Sequence, residues 1–136
     1  MALKWLRTVE GVEEWRLLDR PGESLWRGDI LRLPHHPGLG PDSPSADLML
    51  YELWGYEEKL GLLMLDGYKA GMPMLYFPKE SQGKDRLSLE SSWLIACWSH
   101  WICYFDHLDE DGAPRPLPIE ETRVIRRPQH LPDLQI

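Results

Sequence analysis

The sequence predicts an α+β domain in which one tryptophan-rich helix packs on a face of a curved, mostly antiparallel sheet of about five strands. Two observations predict this class. Short runs of strand type are separated by connections that contain glycine or proline, as in consecutive hairpins. A later segment, residues 87–105, carries apolar side chains at helical spacing, and a further strand-like run follows it. A small SH3-like β-barrel with one helix is the alternative architecture.

The size and charge of the chain limit its class. Its 136 residues, of which 43% are hydrophobic and 27% charged, suit one globular domain over residues 1–136. We assign residues 1–14 to an N-terminal extension and residues 128–136 to an extended tail. The formal net charge of −7 argues against nucleic-acid binding, because nucleic-acid-binding proteins usually present basic surfaces to phosphates. A basic protein partner fits this charge better.

Three features of the sequence indicate where the protein resides. The first residues contain charged side chains throughout, so they lack the apolar core of a signal peptide. The longest apolar run, residues 60–65, is far shorter than the roughly 20 residues of a membrane-spanning helix. On one helix Cys97 and Cys103 would lie about 9 Å apart along the axis, which is too far for a disulfide. We therefore expect free thiols, cytoplasmic localisation and no membrane association.

The first third of the chain contains one ambiguous segment and one strand. Residues 1–23 fit a helix and a strand equally well, because Gly11 interrupts an apolar repeat of roughly helical spacing. Residues 25–33 alternate along two apolar faces and end at Pro34, so we predict one inner strand. Residues 35–45 are rich in proline and glycine and are predicted to form a surface loop.

The middle of the chain is predicted to form a series of hairpin strands. Residues 46–54 and 60–66 are predicted as two strands joined by a short connection. Residues 67–71 form a tight turn in which glycine supplies a positive φ. Residues 72–77 form the fourth strand, and Pro73 favours a sheet edge or a bulge because it lacks a backbone donor.

The tryptophan-rich segment is predicted as one helix over residues 87–105, with Ser88 as its N-cap. Its apolar residues cover roughly 200° of a helical wheel, so the remaining chain must cover it on two sides. The central stripe, within about 60° on the wheel, consists of Leu94, Trp98, Trp101 and Phe105. Gly112 and the prolines after it prevent continuation, and residues 119–127 form a returning strand.

The tryptophans of this helix have two alternative roles. Each indole ring buries on the order of 150–250 Å², so Trp98 and Trp101 are predicted to belong to the core. Trp93 lies at the margin of the apolar arc and suits either the core or an exposed recognition surface.

No catalytic, cofactor-binding or metal-binding residues are predicted. Cys97, His100 and Cys103 have a spacing that suggests zinc, but on a helix the two cysteines diverge by about 120° and cannot meet one ion without distortion. The acidic residues 106–111 lack the ligand types of a calcium loop at the required positions. We interpret them as a solvated loop or as part of an electrostatic patch.

Four segments together resemble immunity protein family forty-five of bacterial polymorphic-toxin systems. They are WRGDILRLP at residues 26–34, DLML at residues 47–50, GYKAG at residues 67–71, and SSWL at residues 91–94, which continues to Trp98, Trp101 and Ile102. The similarity covers roughly residues 15–105.

The resemblance implies a cytoplasmic, non-enzymatic protein that binds and occludes a cognate toxin. Such toxins are delivered between competing bacteria by contact-dependent or secretion systems such as type VI secretion, or made by the cell itself, and many are basic nucleases. An acidic immunity protein would be steered electrostatically towards a basic toxin. We therefore expect a partner-binding surface formed by acidic residues and one tryptophan: Asp106, Asp109, Glu110, Asp111, Glu120, Glu121 and Trp93.

Two other functions compete with this interpretation. The Arg27-Gly28-Asp29-Ile30 segment is similar to the start of small barrel endoribonucleases that inhibit growth. No Arg-Pro pair follows in the next strand, however, and the negative charge suits RNA poorly. A scaffold or adaptor that acts without any toxin is the other alternative.

Overall fold

The computed structural model describes residues 11–34, 45–53, 60–67, 69–83, 88–108, 114–116 and 118–128. Within residues 103–108 and 114–116 the description is limited to the backbone. The strands of these residues are β1 (Glu13–Arg16), β2 (Ser24–Trp26), β3 (Ile30–Pro34), β4 (Ser45–Glu52), β5 (Leu60–Met64), β6 (Pro73–Tyr76), β7 (Ser88–Glu90), β8 (Cys103–Leu108), β9 (Pro114–Pro116) and β10 (Arg123–Arg126). The helices are α1 (Ser91–Ala96) and α2 (Trp98–Trp101), with 3-10 turns at Leu17–Asp19 and Lys79–Ser81.

One antiparallel sheet of six strands dominates the fold, with the strand order β1-β10-β3-β4-β5-β6. Two small antiparallel ladders, β2 with β7 and β8 with β9, accompany it. The sheet together with the short helical region confirms the predicted α+β class. Within the described residues β1 and β6 are the two edges of an open sheet, so the alternative of a closed barrel is wrong.

The core lies on one face of the sheet because alternate residues of each strand point to the same side. Across five neighbouring strands the register aligns a buried row: Trp15, Val124, Leu31, Leu48 and Met64. Against this face pack Leu94 of α1, Trp98 of α2 and the following Ile102, all of them buried in the same cluster. The tryptophan-rich segment therefore lies against the sheet as predicted, and burial of Trp98 in the core is confirmed.

The helix itself is shorter than predicted. Ser88 is not an N-cap but a residue of β7, where Leu89 pairs with Leu25 of β2 and is completely buried. The helical backbone is interrupted at Cys97, which has φ −104° and ψ 11°, and α2 ends at Trp101. The chain then enters β8, whose aromatic and aliphatic side chains suit a strand as well as a helix. Pairing with β2 and β9 therefore overrides the helical periodicity at both ends.

The predicted inner strand at residues 25–33 is also wrong in its continuity. Gly28 has φ +91° and divides it into β2 and β3, which belong to different sheets. Asp29 closes this corner, because its carboxylate accepts a hydrogen bond from the Trp26 amide at 2.9 Å while its own amide donates to the Trp26 carbonyl oxygen at 3.0 Å. The apolar alternation continues through the corner, so the pattern alone does not reveal it.

The predicted hairpin strands are confirmed as β4, β5 and β6. The turn between β5 and β6 contains Gly67 at φ +78° and Gly71 at φ +87°, as its glycines predicted. Leu62 pairs with Leu75 but Leu63 pairs with Pro73, so the register shifts beside this proline, and β6 is an edge of the sheet. Pro73 therefore lies both at a sheet edge and at an irregularity, the two positions predicted for it. The connection at residues 55–59 lies outside the described residues.

The two ends of the described chain meet in the sheet. The ambiguous first segment contains β1 and a 3-10 turn, so Glu13 and Glu14 of the predicted extension pair with β10. The returning strand is confirmed as β10 and lies between β1 and β3. Residues 1–10, 35–44 and 129–136, on which we placed part of the extension, a loop and most of the tail, lie outside the description.

Candidate partner-binding surfaces

The Trp-Arg-Gly-Asp segment of the sequence forms part of the framework. The Asp29 side chain is buried, and Arg126 of β10 donates to both of its carboxylate oxygens, from Nε at 3.0 Å and from Nη2 at 2.8 Å. Arg126 also donates to the Glu23 carboxylate at 3.0 Å and to the Ser24 carbonyl oxygen at 2.9 Å. One guanidinium group therefore ties β10 to the start of β2 and to the β2–β3 corner.

These contacts stabilise the protonated form of Arg126. The hydrogen bonds to Asp29 raise the pKa of the Arg126 guanidinium above its usual range, although burial acts in the opposite direction. The guanidinium carbon also lies 5.1 Å from the centre of the Trp15 ring, and that of Arg20 lies 4.5 Å from it. Arg126 contacts both Asp29 and Trp15, which are buried, so we assign this group to structural support of the fold.

Trp93 lies at the rim of an aromatic cluster. Its ring centre is 6.1 Å from Phe77 in an edge-to-face arrangement and 5.8 Å from Trp101. Both Trp93 and Trp101 are partly buried against the core, whereas Phe77 is completely buried. The exposed residues of the helical segment are small or polar: Ser92, Ala96, Ser99 and His100. Trp93 is thus partly buried in the aromatic cluster and partly exposed, and its role in partner binding stays a prediction.

The structure places only part of the predicted acidic surface. Glu120 and Glu121 are exposed in the turn before β10. The buried Thr122 builds this turn, since its hydroxyl donates to the Pro118 carbonyl oxygen at 3.0 Å and its amide donates to the Ile119 carbonyl oxygen at 3.1 Å. Asp106 belongs to β8, of which only the backbone is described, and Asp109, Glu110 and Asp111 lie outside the described residues.

Three exposed hydrophobic side chains that the sequence did not predict lie in or near β6. Among the described residues the large hydrophobic side chains with the greatest exposure are Leu65 at 36%, Met72 at 51% and Tyr76 at 52%. Leu65 directly follows β5, Met72 directly precedes β6, and Tyr76 is the last residue of β6, whose first residue is the exposed Pro73. Strand alternation alone does not predict their exposure, because the register shifts beside Pro73.

Backbone hydrogen bonds fix Met72 at this edge. The Gly71 amide donates to the Met64 carbonyl oxygen at 2.7 Å, and the Met64 amide donates to the Met72 carbonyl oxygen at 3.0 Å. Gly71 and Met72 thus together oppose Met64. Because Gly71 has a positive φ, this arrangement is a glycine bulge.

Tyr76 stands next to a second tyrosine on the face opposite the core. The register places Tyr51, Gly61 and Tyr76 side by side on three neighbouring strands. A Cβ atom on Gly61 would lie 2.9 Å from Cε1 of Tyr51 and 2.8 Å from the Leu75 carbonyl oxygen, so only glycine leaves room for the Tyr51 ring. Burial raises the pKa of the Tyr51 hydroxyl to about 12, and the neighbouring Tyr76 adds to the rise. This hydroxyl has no hydrogen-bond partner among the described residues.

The described part of the chain contains no group of three or more histidine, cysteine, aspartate or glutamate side chains placed to hold a metal ion. None of its helices has the length and hydropathy of a membrane span. Cys97 is a free, partly buried thiol.

Comparison with known proteins identifies the family. No curated protein and no solved structure matches this chain. The model of the family described as Immunity protein 45 matches residues 17–110, a range that contains β2 to β8 and both helices. This match confirms the resemblance seen in the sequence, and the family implies a cognate toxin as partner. The chain belongs to the Immunity protein 45 family.

Proposed function

We propose that this protein binds a cognate antibacterial toxin in the cytoplasm and neutralises it by protein–protein occlusion, without catalysing a reaction. The observation that carries the proposal is the match to the Immunity protein 45 family over residues 17–110. Toxin neutralisation is the function that the family name indicates. The segment that favoured a barrel endoribonuclease, Arg27-Gly28-Asp29-Ile30, leads into a strand of an open sheet in this structure, and no feature of the described residues favours a scaffold.

Two properties of the molecule support binding as the mode of action. The six-stranded sheet and its buried row form a stiff support, and a rigid surface loses little conformational entropy when a partner binds. The net charge of −7 supports attraction of a basic toxin, in which case exposed carboxylates accelerate the encounter. We assign the acidic contribution to Asp106, Asp109, Glu110, Asp111, Glu120 and Glu121, and an aromatic contact to Trp93.

Co-expression in bacteria tests the function directly. Candidate toxin genes from the same genome, starting with any that lie next to this gene, are expressed from an inducible promoter with and without this protein, and growth and complex formation are measured. We expect growth to be restored and the two chains to co-purify. An unrelated immunity protein of similar size and charge serves as the control, because it should not rescue growth.

Two results would contradict the proposal. Growth arrest caused by this protein alone would indicate an endoribonuclease-like inhibitor. Absence of both rescue and binding with every toxin encoded in the same genome would favour a scaffold that acts without a toxin.

A further inference from the structure

We infer that two copies of this protein associate through strand β1, which pairs with itself in antiparallel fashion about a two-fold axis. This inference goes beyond the proposed function, because the partner is a second copy of the chain and not the toxin. It rests on the register of β1, on the direction of its backbone groups and on two exposed charges.

The backbone groups of β1 that point away from β10 are the first argument. The Leu17 amide donates to the Thr122 carbonyl oxygen at 3.0 Å, and hydrogen-bonded pairs alternate along an antiparallel ladder. Trp15, two residues earlier, is therefore bonded to β10, whereas Glu14 and Arg16 direct their amides and carbonyl oxygens outward. Because β1 is an edge of the sheet within the described residues, these groups can pair with another strand.

The side chains at the two outward-directed positions are the second argument. Glu14 and Arg16 are exposed, and they project from the same face of the sheet because they are alternate residues of one strand. Trp15 between them projects from the other face and is buried in the core. The free edge of β1 thus presents one negative and one positive charge side by side.

Arginines of three neighbouring strands form a row on this face. Arg16 of β1 is paired with Arg123 of β10, which is paired with Arg32 of β3, and like charges in such positions repel one another. The Asp47 carboxylate accepts hydrogen bonds from Arg32 at 2.8 and 2.9 Å. Glu14 forms an ion pair of 3.2 Å with Arg123. Arg16 has no ion pair with any described residue, so a carboxylate beside it would stabilise the row.

Two-fold symmetry supplies this carboxylate in one register. The axis is perpendicular to the sheet, and outward-directed residues of one copy must pair with outward-directed residues of the other. With the axis at Trp15, Glu14 of each copy is the hydrogen-bonded partner of Arg16 of the other copy, and opposite charges lie directly across from each other. With the axis at Glu14 or at Arg16, identical charges face each other. Charge therefore selects the register centred on Trp15.

The same charges determine the kind of partner. Charged side chains on an edge strand usually prevent association with other polypeptides, but those of β1 complement an identical strand. At the other edge Pro73 lacks a backbone donor and the register shifts beside it, so an added strand would pair poorly there. Because β1 is short, we expect a weak dimer whose share rises with protein concentration.

Sedimentation velocity of the full chain over a wide range of concentration tests the inference. Arg16→Glu should weaken dimerisation by about tenfold or more, because it places carboxylates opposite each other in both pairs. Combining Glu14→Arg with Arg16→Glu exchanges the charges and should bring dimerisation back to within about threefold of the wild type. Lys79→Glu, at an exposed residue after β6, makes the same change in net charge and is the matched control. Thermal unfolding checks that each variant is folded.

Amide hydrogen exchange of the wild type gives an independent test that needs no substitution. At low concentration the outward-directed amides of Glu14 and Arg16 should exchange rapidly, and at high concentration they should exchange several-fold more slowly, because pairing protects them. The Trp15 amide already donates to β10 and is the internal comparison, since its exchange should depend much less on concentration.

The outcomes decide the inference without the toxin, so they are independent of the proposed function. A monomer at every concentration would overturn it. A dimer that Arg16→Glu leaves intact, with Glu14 and Arg16 amides that exchange equally fast at low and high concentration, would show that the second copy binds elsewhere and would also overturn it.

Discussion

At the scale of single residues, Arg126 and Asp29 show how the fold can require a residue of a sequence motif. The Asp29 carboxylate is buried and its two oxygens accept hydrogen bonds from Arg126 and from the Trp26 amide. A buried carboxylate without such partners would carry a large desolvation cost. The residue type at position 29 is therefore determined by folding.

The first prediction concerns this ion pair. Arg126→Met should lower the free energy of unfolding by about 3 kcal/mol, because it leaves the Asp29 carboxylate buried without its cation. Arg127→Met is the matched control, since Arg127 is exposed, and should change stability by less than about 0.5 kcal/mol. Urea unfolding at pH 7 measures both, and equal losses in the two variants would contradict the structural assignment of the pair.

The second prediction uses the Tyr51 hydroxyl. Its pKa is about 12 in the folded protein against an ordinary value of 10.0, so the unfolded chain loses this proton first as the pH rises. The contribution of this pKa shift to the free energy of unfolding is fully present below pH 10 and is lost between pH 10 and about 12. Tyr51→Phe should therefore be as stable as the wild type or more stable at pH 7, because it removes a buried hydroxyl without a partner among the described residues.

Above pH 10 the two proteins should diverge further. The wild type should lose more stability than Tyr51→Phe between pH 10 and 11.5, as followed by denaturant unfolding at each pH. Parallel pH profiles would show that the Tyr51 hydroxyl has the same pKa in both states.

At the scale of elements, the corner between β2 and β3 divides the Trp-Arg-Gly-Asp segment and the strand after it between two sheets. Gly28 at φ +91° turns the chain from the small ladder into the large sheet, and a Cβ atom there would meet nothing within 4 Å. The cost of a side chain at this position is thus purely conformational.

The third prediction tests this conformational cost at Gly28. Gly28→Ala should destabilise the protein by about 1 to 2 kcal/mol, because alanine resists a positive φ. Gly22→Ala, which also has no atom within 4 Å of the new Cβ but lacks a positive φ, should be neutral or slightly stabilising. Thermal and urea unfolding compare the pair, and equal effects would contradict the role of the left-handed backbone at Gly28.

The elements that could be predicted from the sequence are those whose pattern is local. Strands β4, β5 and β6 were predictable because alternation, glycine turns and Pro73 all act within a few residues. The ends of the helix were not, because β7 and β8 form through pairing with β2 and β9, which lie far away in the chain. Asp29 was unpredictable as a framework residue for the same reason, since Arg126 lies 97 residues later.

The candidate surfaces follow the same division. The acidic surface stays a prediction, although two of its residues, Glu120 and Glu121, are exposed. The exposed hydrophobic side chains near β6 could not be predicted, because the exposure of Met72 and Tyr76 depends on the irregular register and on the position of β6 at the sheet edge. Edge position is a property of the assembled sheet and has no local signal.

At the scale of the whole molecule, the family segment does not complete the sheet by itself. The matched residues 17–110 contain four strands of the large sheet, whereas β1 and β10 lie outside the match. Strand β10 lies between β1 and β3, and its Val124 is completely buried in the core row. A folded unit of this chain therefore needs residues beyond the matched segment, and those same residues carry the exposed Glu120 and Glu121.

Long-range charge gives the fourth prediction. Glu120→Lys with Glu121→Lys should slow association with a basic toxin by about tenfold at low salt and leave dissociation nearly unchanged, because exposed charges act on the encounter. Raising the salt concentration to 0.5 M should bring the association rates together, since screening then acts within a few ångströms. Glu13→Lys with Glu14→Lys makes the same change in net charge at β1 and is the matched control. Equal slowing by both pairs, measured by stopped-flow mixing, would show that only net charge matters, and no slowing by either would reject steering altogether.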